Sequence, residues 1–170
     1  QQAGPVWLGG RTNSSTTEDD YGLIVYKKGA WVLHMLRNLL LDLDSDDETR
    51  FRNLLHDFHE AHRTGFVTTR EFRAAAEAAA GDDLGWFFAQ WVYGTDVPTY
   101  RWSWDVVERT PGQWIVHGRV QQSNVPDDFR APVIVRLDFG AGRFARTRVW
   151  VSGPETTFDL PAASERPVGV

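Results

Sequence analysis

The residues with the clearest chemical potential are one tyrosine and a small group of histidines. Tyr26 opens the segment Tyr-Lys-Lys-Gly at residues 26–29, and its phenol can donate a hydrogen bond to an oxygen that gains negative charge during a reaction. The segment His-Glu-Ala-His at residues 59–62 comes nearest to the zinc-peptidase motif H-E-x-x-H, but its histidines are three residues apart instead of four. The sequence therefore offers a candidate hydrogen-bond donor without a matching set of metal ligands.

His56, His59 and His62 lie close together in the chain, which invites a metal-binding interpretation. A helix turns by about 100° per residue, so His62 shares the apolar face with Phe58, while His56 and His59 fall on the polar side. We therefore predict a solvated helix face. The alternative that stays open is a site formed by His56 and His59 alone.

Composition excludes several other kinds of chemistry. The chain has no cysteine, so disulfides, thiol catalysis and cysteine-bound zinc are excluded. A net charge of -5 and a pI near 5.5 argue against nucleic acid or an anionic membrane as a partner. The longest apolar stretch, residues 29–41, is interrupted by polar residues and is too short to span a membrane. The sequence indicates neither the compartment nor the oligomeric state.

The elements that must position Tyr26 begin after a polar stretch. Residues 9–20 are small and polar without periodicity, so we predict a flexible lead-in loop over residues 1–20. From Leu23 to Leu43, apolar residues occur almost all round the helix. This pattern predicts a central helix that is packed on most sides and carries Tyr26 near its start.

Three further helices are predicted from their capping residues. The segment Ser-Asp-Asp-Glu at residues 45–48 has the pattern of a capping box and opens a helix to about Arg63. The segment Thr-Thr-Arg-Glu at residues 68–71 opens the next helix, which ends at Gly81. Two aspartates then cap a fourth helix, whose aromatic stripe stops at Gly94.

After residue 100 the apolar period changes from about 3.6 to about 2, which indicates a second domain made of β-strands. Trp102, Trp104 and Trp114 alternate with polar residues on the two sides of a turn at 110–112. We predict a β-hairpin with these tryptophans in the core, and the alternative is that they line a sugar-binding face. Later strands, including a return strand at 143–152 and an edge at 156–160, favour a small antiparallel β-sandwich.

The segment that starts at Tyr26 resembles the Tyr-x-Lys-Gly segment that opens a helix downstream of the zinc site in the gluzincin aminopeptidases. These enzymes are the family of membrane alanyl aminopeptidase and leukotriene hydrolase. The similarity continues through residues 68–69 and the aromatic stripe to Gly94 and Pro98, and covers roughly residues 5–100. The strands carry no signature of the family.

This resemblance implies an activity and a role for one residue. In the family, the tyrosine at the position of Tyr26 donates a hydrogen bond to the oxyanion that forms when water attacks the scissile carbonyl at the zinc. The metal ligands of the family lie upstream of this tyrosine. The resemblance therefore implies that Tyr26 is the catalytic residue of this chain, and that zinc belongs to a full-length parent whose ligands lie on a missing amino-terminal part. It identifies no substrate-binding residues.

These observations predict an α+β chain. A four-helix segment from the end of a thermolysin-like catalytic domain is expected over residues 21–100, and a small antiparallel β-sandwich over residues 101–170. We expect part of a zinc-dependent aminopeptidase that removes amino-terminal residues from peptides, inactive as an isolated chain and without a metal of its own. Its expected partners are the peptide substrate and the missing part, and a face exposed by truncation could pair two copies. The competing hypothesis is a non-catalytic binding or scaffolding module.

Overall fold

The chain forms one helical unit and one β unit. The computed structural model describes residues 4–12, 20–161 and 164–170. The two compact units are Gln1–Asp96 and Val97–Val170. The first is built from helices and the second contains two small antiparallel sheets. The predicted α+β class is confirmed.

The described part of the helical unit contains four α-helices, one 3-10 helix and two π-helical segments. In chain order they are a 3-10 helix Val6–Thr12, a first π-helical segment Gly22–Lys28, α1 Gly29–Leu40, α2 Thr49–Ala61, α3 Thr69–Ala80, α4 Gly85–Phe88 and a second π-helical segment Ala89–Tyr93. The first π-helical segment runs directly into α1, and α4 runs directly into the second. None of the helices in residues 4–12, 20–161 and 164–170 is long and apolar enough to cross a membrane.

Part of the predicted lead-in loop is helical. Residues 6–12 form the 3-10 helix, in which Thr12 is buried and its hydroxyl donates a hydrogen bond to the Gly9 carbonyl oxygen at 2.9 Å. This burial and local hydrogen bond account for the order found where a loop was expected. The rest of the polar stretch, residues 13–19, lies outside the described residues.

Helix α1 buries one face rather than most of its surface. Val32, Leu36 and Leu40 are buried at a spacing of four residues, whereas Trp31 is 65% exposed and Leu33 is 39% exposed. The prediction of a helix packed on most sides is therefore wrong for this chain. The physical reason is that the neighbouring helices in the described residues cover only one stripe of α1.

The capping box predicted at the start of α3 is confirmed. The Thr68 hydroxyl accepts a hydrogen bond from the Glu71 amide at 3.3 Å, and the Glu71 carboxylate accepts one from the Thr68 amide at 2.7 Å. The helix ends at Gly81, whose φ of 70° is left-handed. Glycine adopts this conformation without the steric cost that a side chain would impose.

The capping box predicted at residues 45–48 is wrong. Helix α2 begins at Thr49, whose amide donates a hydrogen bond to the Asp47 carboxylate at 2.9 Å. Glu48, the expected partner of Ser45, forms an ion pair with Arg37 of α1 instead. A tertiary contact with α1 therefore replaces the local motif.

The fourth helical stretch follows the prediction more closely. Asp83 accepts a hydrogen bond from the Gly85 amide at 2.6 Å where α4 begins. The aromatic stripe that follows enters the core of the unit, which consists of Val32, Leu36, Leu40, Leu54, Ala76, Leu84, Phe87, Phe88 and Val92. Burial of a Leu, Val or Phe side chain stabilises a fold by about 1.5–3 kcal/mol, so this cluster is the main support for the helices that carry Tyr26.

The β unit contains two antiparallel sheets. Its strands are β1 Thr99–Thr110, β2 Gln113–Ser123, β3 Arg130–Gly140, β4 Arg143–Ser152 and β5 Glu155–Pro161. The first sheet has the order β1-β2-β5 and the second pairs β3 with β4. The predicted hairpin at 110–112, the return strand over 143–152 and the edge position of the last strand are confirmed.

Two of the three tryptophans that were predicted to lie in the core of the β unit are exposed. One cluster of buried residues consists of Val116 of β2, Val135 and Leu137 of β3, and Val149 of β4. Trp114 is half-buried, but Trp102 is 49% exposed and Trp104 is 39% exposed. The prediction that both of these tryptophans are core residues is wrong, because β1 is the outer strand of its sheet and the buried cluster lies on β2 and on the second sheet.

Candidate functional site

Tyr26 occupies an accessible position in the first π-helical segment. Its side chain is 65% exposed, and the ring of Tyr21 lies edge-on to it with the two ring centroids 5.5 Å apart. A hydrogen bond with Tyr26 raises the pKa of Tyr21. A π-helical turn is a local departure from α-helical hydrogen bonding, and such turns are frequent at functional sites. The candidate donor is thus open to solvent and has a second phenol beside it.

Tyr26 lines an apolar cavity of about 550 Å³ within the helical unit. The walls are mainly aliphatic and aromatic, with Val25, Leu33, Phe58, Val67, Phe72 and Phe87 among them. Thr68 and Thr69 are also part of the lining. A cavity of this size with few polar groups is typical of a site that binds a small molecule or one side chain of a larger ligand.

The wall of the cavity contains a set of aromatic rings packed edge to face. Phe72 lies 5.1 Å from Phe58 and 6.3 Å from Phe88 between ring centroids. Phe88 is 2% exposed. Edge-to-face pairs add about 0.5–1.5 kcal/mol beyond the area that they bury, so these contacts stabilise the wall of the cavity.

Lys28 positions the helix that follows Tyr26. Its ammonium donates a hydrogen bond to the carbonyl oxygen of Gly94 at 3.0 Å, and Gly94 ends the second π-helical segment. Burial lowers the pKa of Lys28, while the negative charge of Asp96 opposes this shift. A positive charge at the carboxyl end of a helix also interacts favourably with the helix dipole. Within the Tyr-Lys-Lys-Gly segment, Lys28 therefore has a structural contact.

His56 and His59 of α2, and His62 directly after it, do not accompany Tyr26 on the lining of the cavity. His56 is exposed and its Nδ1 lies 3.0 Å from the Asp57 carboxylate. His62 is half-buried and packs on Phe58 with ring centroids 4.3 Å apart. His59 is exposed. Among the residues that the structure describes, no group of three or more His, Asp, Glu or Cys residues is placed to hold a metal ion.

The loop before α3 lines the cavity, which the sequence patterns did not predict. These patterns identified Thr68 only as a helix cap, whereas Val67, Thr68 and Thr69 all line the cavity beside Tyr26. A signal for this role was present in the sequence. Phe66 and Val67 are two apolar residues directly before a polar cap, and both are exposed in the structure.

Comparison with solved structures identifies a similarity of fold. No protein-family profile matches the chain, and no curated protein sequence matches it. The structure is similar to the crystal structure of Legionella pneumophila aminopeptidase A in complex with aspartic acid, with a TM-score of 0.64 and 19% sequence identity. The match covers 88% of this chain and 16% of that chain. The chain therefore has an aminopeptidase-like fold and spans about a sixth of the length of that enzyme.

Proposed function

We propose that this chain is the carboxyl-terminal part of a gluzincin zinc aminopeptidase, of the membrane alanyl aminopeptidase and leukotriene hydrolase family. The observation that carries the proposal is the accessible Tyr26 side chain on the lining of an open apolar cavity. The similarity of the fold to an aminopeptidase supports it. On this proposal the helical unit is the end of a thermolysin-like catalytic domain, and the β unit is a β-sandwich that follows it.

Tyr26 would act as a hydrogen-bond donor to the oxyanion that forms when water adds to the scissile carbonyl. A donor aimed at an oxygen that becomes negative only in the transition state lowers the barrier without tightening substrate binding. Tyr21 lies beside it and would restrict the orientation of the phenol through their hydrogen bond. The apolar wall of the cavity would exclude water from one side of the peptide.

The zinc ion of such an enzyme polarises the scissile carbonyl and activates water. The described residues contain no cluster that fits it, so in this proposal the ligands belong to a part of the enzyme outside this chain. We accordingly expect the isolated chain neither to bind zinc stoichiometrically nor to cleave peptides.

The exposed apolar side chains near Tyr26 are consistent with a missing neighbour. Leu23, which is 50% exposed, lies in the same π-helical segment as Tyr26, and Trp31, which is 65% exposed, lies in α1 directly after it. Contiguous apolar surface is normally covered by another part of a protein. In this proposal the amino-terminal part covers it, and in the isolated chain the same surface pairs two copies.

The test is the substitution Tyr26→Phe in the protein encoded by the full reading frame. We expect turnover of an aminoacyl substrate to fall by roughly 10²–10³, with KM little changed because the contact is made in the transition state. Tyr21→Phe is the matched control, since it removes a neighbouring hydroxyl and should lower turnover far less.

Two results would contradict the proposal. An unchanged rate for Tyr26→Phe would remove this residue from the mechanism. A full reading frame without an upstream H-E-x-x-H segment would remove the zinc site, and would favour the competing hypothesis of a non-catalytic binding or scaffolding module.

A further inference from the structure

Strand β1 lies at the edge of its sheet and is exposed along its length. In the sheet order β1-β2-β5 it has β2 on one side, and within the described residues no isolated bridge reaches its other side. All of its residues are exposed except Val106, which is half-buried. An edge strand presents unpaired N–H and C=O groups that can pair with a further strand. The outer side of β1 is therefore open to the addition of a strand.

One face of β1 carries a row of exposed aromatic rings. Alternate residues of a strand share a face, and Val106 packs against the buried cluster, so Tyr100, Trp102 and Trp104 lie on the face that carries the core. Tyr100 and Trp104 are 39% exposed, and Trp102 is 49% exposed. A strand added beside β1 would continue this face and cover part of the three rings. Burial of aromatic area would therefore favour the addition.

The opposite face of β1 carries two charges that are complementary to each other. Arg101 and Asp105 are exposed and stand two residues before and two residues after Ser103. If two copies of β1 pair antiparallel about Ser103, Arg101 of each copy lies opposite Asp105 of the other. Opposite charges in such positions stabilise a sheet. The same register places Trp102 of each copy opposite Trp104 of the other, so β1 is complementary to itself on both faces.

The other edge strand of the same sheet, β5, is not complementary to itself. It is shorter than β1 and ends in Pro161, and a proline limits the ladder because it has no N–H to donate. Antiparallel pairing of two copies about Thr157 would place Glu155 of each copy opposite Asp159 of the other. Like charges placed opposite each other destabilise a sheet. The sequence of β1 therefore favours pairing with a second copy, whereas that of β5 opposes it.

We propose that two copies of this chain pair through β1, antiparallel and centred on Ser103, so that their three-stranded sheets form one continuous sheet. Closed two-fold pairing of identical surfaces is the commonest form of self-association. The new ladder would cover residues 99–107, a longer stretch than residues 115–121, over which β2 holds β5. The proposal uses a different surface from the apolar one at Leu23 and Trp31, and it does not depend on the proposed peptidase function.

Cysteine cross-linking of the 170-residue chain tests the register. The chain has no cysteine, so Ser103→Cys gives one thiol per chain. Opposite residues of an antiparallel pair have Cβ atoms about 4.5–5.5 Å apart, so mild oxidation should join two copies by a disulfide. The matched control is Thr157→Cys, an exposed position of β5 in the same cross-strand row. Two copies of it would lie about 24 Å apart across five strand spacings, and should yield at least about tenfold less covalent dimer.

Charge reversal tests the complementarity. In a background of Leu23→Ser and Trp31→Ser, which removes pairing through the helical surface, sedimentation equilibrium measures the dimer. Arg101→Asp and Asp105→Arg each place like charges opposite each other, and each should weaken dimerisation about tenfold or more. An equal mixture of these two variants should restore the dimer, because the two acidic positions of one chain then face the two basic positions of the other.

The mixture also separates loss of pairing from loss of folding, since misfolded chains would not regain a dimer on mixing. Equal cross-linking of Ser103→Cys and Thr157→Cys would overturn the proposal. A monomeric chain at every concentration, or a dimer that persists in both charge variants, would overturn it as well. A mixture that stays monomeric would show that the two charges do not face each other.

Discussion

The side chain of Lys28 and the main chain of Gly94, 66 residues apart in sequence, are joined by a hydrogen bond of 3.0 Å. This bond links the ends of the two π-helical segments, Gly22–Lys28 and Ala89–Tyr93. A side chain on Gly94 would not fit, since its Cβ would lie 2.6 Å from the carbonyl oxygen of Gln90. The position of Tyr26 in the fold thus depends on a contact with the carboxyl-terminal end of the helical unit.

We expect Lys28→Met to lower the free energy of unfolding by about 1 kcal/mol. The change removes a partly buried hydrogen bond from a charged donor, and the recovered burial of an apolar side chain offsets part of the loss. Lys27→Met is the matched control because Lys27 is exposed, and its effect should stay within about 0.5 kcal/mol. Urea unfolding followed by circular dichroism measures both, and equal effects would show that the bond to Gly94 contributes nothing.

The two predicted capping boxes provide a second comparison. Thr68→Ala should destabilise the helical unit by about 1 kcal/mol, because the Glu71 amide loses its acceptor at the start of α3. Ser45→Ala should cost less than about 0.5 kcal/mol, since α2 begins at Thr49 and Ser45 does not cap it. Thermal unfolding of the two variants distinguishes the real cap from the sequence pattern. A larger loss for Ser45→Ala would contradict the structure.

Gly118→Ala should destabilise the β unit through overpacking. A Cβ at this position would lie 2.2 Å from the end of the Phe158 ring on the neighbouring strand. Added volume at such a contact typically costs about 1–3 kcal/mol. In a double-mutant cycle, Gly118→Ala should cost much less when Phe158 is replaced by alanine. Additive effects in the cycle would mean that the Phe158 ring is not the source of the cost.

The pair formed by His117 and Asp159 predicts a pH-dependent stability. Their side chains lie opposite each other on β2 and β5, 2.6 Å apart, and the hydrogen bond with Asp159 raises the pKa of His117 above its ordinary value of 6.5. The folded protein therefore holds the proton more tightly than the unfolded chain. The stabilisation is complete below the unfolded pKa and is lost as the pH rises through the folded pKa.

Thermal unfolding between about pH 5.5 and about pH 8.5 tests this dependence, since the carboxylates stay ionised over that range. The wild-type chain should lose more stability towards the higher pH than His117→Gln, which lacks the titrating group. The difference between the two proteins isolates His117 from the other histidines. Identical pH profiles would show that the pair does not contribute to folding.

Local sequence patterns predicted the elements that depend on local contacts. Thr68 and Glu71 form their box within four residues, and the turn at 110–112 and the strand over 143–152 appear where alternation and turn residues placed them. Such features need no knowledge of distant parts of the chain.

Structural features that depend on residues far apart in the sequence were not predicted. The apolar residues of α1 indicated burial on most sides, yet Trp31 is exposed, because amphipathicity does not say which neighbours are present. Glu48 was assigned to a cap but pairs with Arg37 of another helix. The cavity beside Tyr26 is lined both by α1 and by the loop before α3, and no periodicity encodes this arrangement.

The π-helical geometry of Gly22–Lys28 makes this segment sensitive to length. A π-turn holds one residue more than an α-turn, so deletion of a single residue between Tyr26 and α1 would restore regular winding and rotate everything upstream of it by about 100°. The buried stripe of α1 would be unchanged by such a deletion, whereas the Tyr26 phenol would no longer line the cavity. Chain length, as well as residue identity, thus determines where Tyr26 points.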